Sequence, residues 1–202
     1  MSFCLALNLN LVDEIALFRD INNNQRKMNT SHLDKIEARI TGDERIKITN
    51  PGLFIAQRLG RDHGSPFYRI VYEGGRKPVG AFIPLRTLRT GIEYMFSRPT
   101  KLNAGRNVDA QYILIRNFFR ALQRYIPEAW KDYREYIALR GAGLWGWCFI
   151  GAEVIDRVLS QGKFQPEDML AVLKSGREWD WSNAGDFRVI ADAVELSASE
   201  IR

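Results

Sequence analysis

The sequence predicts a mainly α-helical chain of the α+β class, a helical body carrying a small central β-hairpin. Three observations predict it. Apolar residues recur at helical spacing along most of the chain, capping and breaking residues stand where those runs begin and end, and period-two alternation is confined to residues 67–83. With 202 residues, 46% of them hydrophobic, the chain is long enough to bury one core, or one core with a small appendage.

Taken in order, Val12, Ile15, Ala16, Phe18 and Ile21 mark a first helix. Asn10 stands where an N-cap is needed, and Asp13 and Glu14 occupy the first turn, where negative charge is favoured. Four consecutive amides, Asn22 to Gln25, follow, then the cations Arg26 and Lys27. Amides of this kind bond their own backbone in a tight turn or face a polar partner. Thr30 or Ser31 restarts a helix, Ser31 with Asp34 resembling a capping box, and Leu33, Ile36 and Ile40 form its apolar face until Gly42 stops it. Asn50-Pro51 is the strongest helix start, a capping amide before proline at the first helical position. Leu53, Phe54, Ala56 and Leu59 follow, and Gly64 and Pro66 break the run.

Phe67–Tyr72 and Val79–Ile83 read as two strands of a hairpin turning at Gly74-Gly75. Pro84 opens a helix through Leu85, Leu88, Ile92, Met95 and Phe96. The polar stretch from Arg98 to Asp109 is the linker candidate, which divides the chain into 1–97 and a helical subdomain, 98–202, packed on it. A long helix is expected over Val108–Ile126, and Pro127 begins a turn holding Trp130. The glycines of 141–151 follow no nucleotide-binding pattern and predict close helix packing in an apolar helix ending near Gly162. Pro166, Glu167 and Asp168 open a short helix, and the aromatic segment 176–190 is expected to close over the body.

The residues exclude several chemistries. Cys4 and Cys148 have no Cys or His at metal-ligand spacing, so neither a disulfide framework nor a zinc site is expected, and Cys148 reads as a buried small hydrophobe in a chain suited to a reducing cytoplasm. Asp62-His63 lacks a nucleophile elbow, and the carboxylates Asp20, Glu37, Asp43 and Glu44 have no ion-binding spacing. No catalytic constellation is visible, no cofactor or metal is expected, and no run suits a membrane span.

Charge leaves nucleic acid open. Twenty-nine Lys and Arg against 24 Asp and Glu give +5. The cations fall in three groups: Arg26 with Lys27; Arg58 and Arg61 with Arg69; and Arg86, Arg89, Arg98 and Lys101 with Arg106. Arg86 and Arg89 share one face of the helix after Pro84, so the third group is the expected phosphate-binding surface, with exposed arginines dispensable for folding.

The stretch from Leu17 to Ile36 resembles the segment downstream of the name-giving motif in the DGQHR-domain family, which includes DndB-like proteins of DNA-sulfur modification (phosphorothioation). Phe18, Ile21, Asn22, Gln25 and the Thr30/Ser31 helix start carry the resemblance. The Asp-Gly-Gln-His-Arg motif itself does not occur in the chain. The resemblance implies the C-terminal part of a family member. It also implies a DNA-associated or regulatory role in a modification or defence system, with Asn22 and Gln25 as contact amides. The expected partners are DNA, a chain carrying the upstream half, or a second copy. Two alternatives follow from other classes: a fragment of a nucleotide- or DNA-processing enzyme, and a helical protein-interaction module.

Overall fold

The structure, a computed structural model, describes residues 10–17, 30–74, 77–104, 107–176 and 180–186. Residues 11–17 form α1, capped as the sequence predicts, with Asn10 Oδ1 accepting from the Val12 and Asp13 amides at 3.0 Å. Then follow α2 (Thr30–Thr41), α3 (Asp43–Thr49) and α4 (Pro51–Arg61). Gly42, at φ 76°, makes the sharp corner between α2 and α3. Asn50 caps α4 by accepting from Leu53 N at 3.2 Å, with Pro51 at the first turn.

The central β element is smaller than expected and runs the other way. β1 (Val71–Tyr72) and β2 (Ile83–Pro84) pair in parallel, Val71 with Ile83 and Tyr72 with Pro84. The expected hairpin is therefore corrected: residues 66–70 form turns, Arg69 sits at φ 62°, and the Phe82 and Ile83 amides both donate to Ile70 O. Parallel pairing means that the two strands are not joined as a hairpin, and buried and less buried positions alternate only over residues 81–85.

The remaining elements are α5 (Leu85–Phe96), α6 (Val108–Tyr125), α7 (Pro127–Lys131), α8 (Gly141–Ser160) and α9 (Pro166–Lys174). One buried cluster joins them. Leu53 and Leu59 of α4, Ile92 and Met95 of α5, Phe118, Phe119 and Leu122 of α6, and Cys148 and Ile155 of α8 are all inaccessible to solvent. The most extensive packing is α5 on α8 and α6 on α9, with α4 against α5.

Of the glycines of α8, Gly151 packs against a neighbouring helix as the sequence predicts, Gly143 lies against the Ile137 carbonyl, and a Cβ at Gly141 or Gly146 would meet nothing within 4 Å. A Cβ at Gly151 would come within 2.6 Å of the Phe118 ring, and one at Gly91 of α5 within 2.6 Å of Cys148 Sγ. Small residues thus set how closely α8 approaches its neighbours. The loop before α6 is pinned, since the Asn103 amide donates to the carbonyls of Met95, Phe96 and Arg98 at 2.7–3.2 Å, and Leu102 is fully buried. The segment 180–186 closes on the body through Trp181, whose ring lies 4.4 Å from that of Trp147, and through the bridge Tyr136–Ser182. Among the described residues, no helix is long and apolar enough to cross a membrane.

Candidate functional site

The third cationic group does not form an open basic surface. Arg89 is largely buried and donates to Asp34 Oδ1 at 2.5 Å and to Glu93 at 2.7 Å. Asp34 itself is only 3% exposed, which makes Arg89 the counter-ion of an interior carboxylate. That corrects the expectation that Arg89 is dispensable, and it turns Asp34 towards α5. Arg86 is exposed and lies 3.7 Å from the same carboxylate. Arg98 bonds Glu153 of α8 at 2.7 Å and lies over the Phe149 ring, its Cζ 4.2 Å from the centroid. Lys101 donates to the Ser160 hydroxyl at 2.8 Å, and its backbone amide donates to Asp156. Of these four cations, Arg86 and Arg89 join α5 to Asp34 of α2, with Glu93 of α5 also pairing Arg89, and Arg98 and Lys101 join the chain after α5 to Glu153 and Ser160 of α8. The described part of the group is a set of ties between helices. Asn22, Gln25, Arg26, Lys27 and Arg106 lie outside the described residues.

The second group leads to a different surface, where α3 and α4 meet α6. Arg58 of α4 lies on the buried Tyr112 ring, its Cζ 4.1 Å from the centroid, and Arg116 flanks the same ring at 5.6 Å. Arg58 and Lys47 both bond Asp109, at 2.7 and 2.5 Å. Asn107 caps α6 through Ala110 N at 2.8 Å and fixes where that row of side chains begins. Beyond Arg116, Arg120 and Arg124 continue along α6 at intervals of four, which places them on one face. Arg124 bonds Glu167 of α9 at 2.5 Å.

Asp62, the C-cap of α4, ties the row together. It accepts from the Tyr112 hydroxyl, from Gly64 N at 2.8 Å and from Arg116 at 3.2 Å. These donors, the Tyr112 hydroxyl first, hold its carboxyl down from the usual 3.8 to about 2. Burial, with Asp62 adding to it, pushes the Tyr112 hydroxyl up, so it stays a donor. Asp62 is thus committed to structure, and His63 stacks on Tyr68 at 4.2 Å instead of pairing with a nucleophile. Ser65 accepts from Phe67 N at 3.1 Å. Arg69 presents its guanidinium over the Tyr68 ring at 5.0 Å, from a left-handed backbone held by a bond to Gly60 O. A non-glycine residue there costs about 1 kcal/mol, so the surrounding turn enforces it.

Between α3 and α4 the surface opens into a cleft of about 390 Å³, lined by Asp43, Phe54, Gln57, Arg58, Arg61 and Asp62. Arg61 is clamped by Glu73 at 2.7 Å. Gln57 is 4% exposed, and among the described residues its Nε2 has no hydrogen-bond partner. A buried donor left unmet costs about 1–3 kcal/mol. Counting the residues named here, seven cations (Lys47, Arg58, Arg61, Arg69, Arg116, Arg120, Arg124) face five carboxylates (Asp43, Asp62, Glu73, Asp109, Glu167). Among the described residues no three His, Cys, Asp or Glu side chains come together as a metal site would require.

Sequence reading singles out Arg58, Arg61 and Arg69 but passes over Arg116, Arg120 and Arg124, because α6 announces itself by its apolar residues. The signal that reveals them is the repeat of arginine every fourth residue on an otherwise apolar helix. Compared with protein-family models, curated proteins and solved structures, the chain matches none.

Proposed function

We propose that this chain binds nucleic acid through its backbone phosphates, at the arginine row Arg58–Arg116–Arg120–Arg124. In this reading it is a DNA-associated or regulatory component of a modification system of the kind that residues 17–36 resemble. The observation that carries the binding reading is the row itself: guanidiniums flank Tyr112 and continue at intervals of four along α6. Planar guanidiniums suit phosphate oxygens, and a row of them along a rigid helix follows a backbone without reading its sequence. The carboxylates beside them hold the forks in place, since Arg58, Arg116 and Arg124 each pair with one and remain partly exposed. Duplex DNA of unrelated sequences should therefore bind with similar affinity. The affinity should fall as salt rises, with a logarithmic slope of about −3 to −4 for four phosphate contacts. Fluorescence anisotropy at several salt concentrations measures both. No binding at low salt, or binding insensitive to salt, contradicts the proposal.

A further inference from the structure

The cleft beside the arginine row holds more than phosphate binding requires. Phosphates need cations and N–H donors, whereas this cleft also offers an aromatic wall, a buried amide and a carboxylate. Phe54 supplies the wall, with Lys47 Nζ and Arg58 Cζ 5.8 and 6.0 Å from its centroid. Gln57 supplies a donor that meets neither a protein partner among the described residues nor solvent. Asp43 supplies acceptors on the side of α3, and Arg58 and Arg61 supply positive charge along α4. A planar heterocycle with hydrogen-bonding edges, joined to an anionic group, uses every one of these at once. Unpaired bases are recognised in this way, by stacking on an aromatic ring while an amide reads the base edge.

We infer that the Phe54–Gln57 cleft seats the base of an unpaired nucleotide while the α6 row holds the phosphates beside it. This rests on the nucleic-acid reading above and names the strand state the site selects: single-stranded, bulged or extruded nucleotides over perfect duplex. The unmet Gln57 donor then has a use, because a turn of its side chain into the cleft lets the base edge satisfy it in the complex. The same logic marks Gln57 as a residue kept at a cost to folding, since an apolar side chain of similar shape there leaves no donor unmet.

The test measures anisotropy with three DNA probes of equal length, namely a perfect duplex, the same duplex with one bulged nucleotide, and a single strand. The wild-type chain should bind the bulged and single-stranded probes about tenfold more tightly than the duplex, the scale that stacking of one base provides. Gln57→Leu should raise Tm and abolish the preference, so that the three probes bind alike. Phe54→Leu, which keeps the apolar wall but removes the aromatic face, should abolish it as well and decides the matter if the first variant fails to fold. Equal wild-type affinities for bulged and perfect duplex overturn the inference, as does a preference that a folded variant of either kind leaves intact. If no probe binds at all, the phosphate reading fails, and calorimetry with adenosine monophosphate judges the cleft separately. Saturable binding lost in Gln57→Leu upholds the cleft assignment, and no binding ends it.

Discussion

Two arginine-rich regions of this chain look alike in sequence and differ in structure. Arg86 and Arg89 of α5 meet Asp34 of α2, Arg89 meets Glu93 as well, and Arg98 and Lys101 meet Glu153 and Ser160 of α8. Arg58, Arg116, Arg120 and Arg124 lie along α4 and α6, where the cations outnumber the carboxylates. The difference shows that a cluster of cations in sequence says little until its counter-ions are known. Those counter-ions come from far along the chain: Asp34 stands 55 residues from Arg89, and Glu153 stands 55 from Arg98. Arg89 and Arg98 tie helices together, to α2 and to α8, while in the proposed reading the cations of the α4–α6 face also meet phosphates.

The sharpest way to break this comparison is Arg89→Ala. If Arg89 is the counter-ion of a buried carboxylate, its loss leaves Asp34 charged in the interior and costs about 3–5 kcal/mol in urea unfolding. A cost under about 0.5 kcal/mol would return Arg89 to the ordinary surface. Next in size is Gly151→Ala, whose methyl group meets the Phe118 ring where α8 crosses α6. Overpacking of this kind should cost about 1–3 kcal/mol, read as a fall in the urea midpoint.

On the other face, Tyr112→Phe removes the hydroxyl that donates to Asp62 and should cost about 1.5 kcal/mol, as for a bond to a charged acceptor. The same carboxylate gives a pH signature. Its folded value is depressed, so its stabilisation is present above the ordinary value of 3.8 and is lost as the pH falls through about 2. Asp62→Asn should flatten the acid limb of the stability profile in that window, and an unchanged limb would mean that Asp62 is not held by these donors. Smallest of all is Arg86→Ala, which should change stability by less than about 0.5 kcal/mol because its side chain is exposed.

Much of the helical architecture is legible in the sequence because its signals are local. Asn10 and Asn50 mark helix starts through bonds to amides two or three residues away, Pro51 marks one through its fixed φ, and the apolar spacing of α5 and α6 places their buried faces. Gly151 is legible as a packing residue because it stands among the glycines of an apolar helix, whereas Gly91, which packs as closely against Cys148, carries no such signal. Strand direction is not legible, since alternation in the sequence is silent on how the chain returns between Tyr72 and Ile83. The site is only partly legible. Arg58, Arg61 and Arg69 stand close together in the chain, whereas Arg116 joins them only because α6 lays Tyr112 beneath Arg58.

The central claim is that the α4–α6 face, and not the paired cations that tie α5 to α2 and the chain after it to α8, carries the phosphate contacts. Titrating duplex DNA against two double variants, Arg116→Ala with Arg120→Ala and Arg86→Ala with Arg98→Ala, across several salt concentrations tests it most directly. Circular dichroism first shows that both are folded. The account predicts that the first pair weakens binding alike for unrelated sequences and reduces the salt slope by about 2, close to one released counterion per lost contact. It predicts that the second pair, drawn from a neutralised surface, leaves affinity and slope unchanged. The reverse pattern, with the slope falling for Arg86 and Arg98 and unchanged for Arg116 and Arg120, would contradict the account.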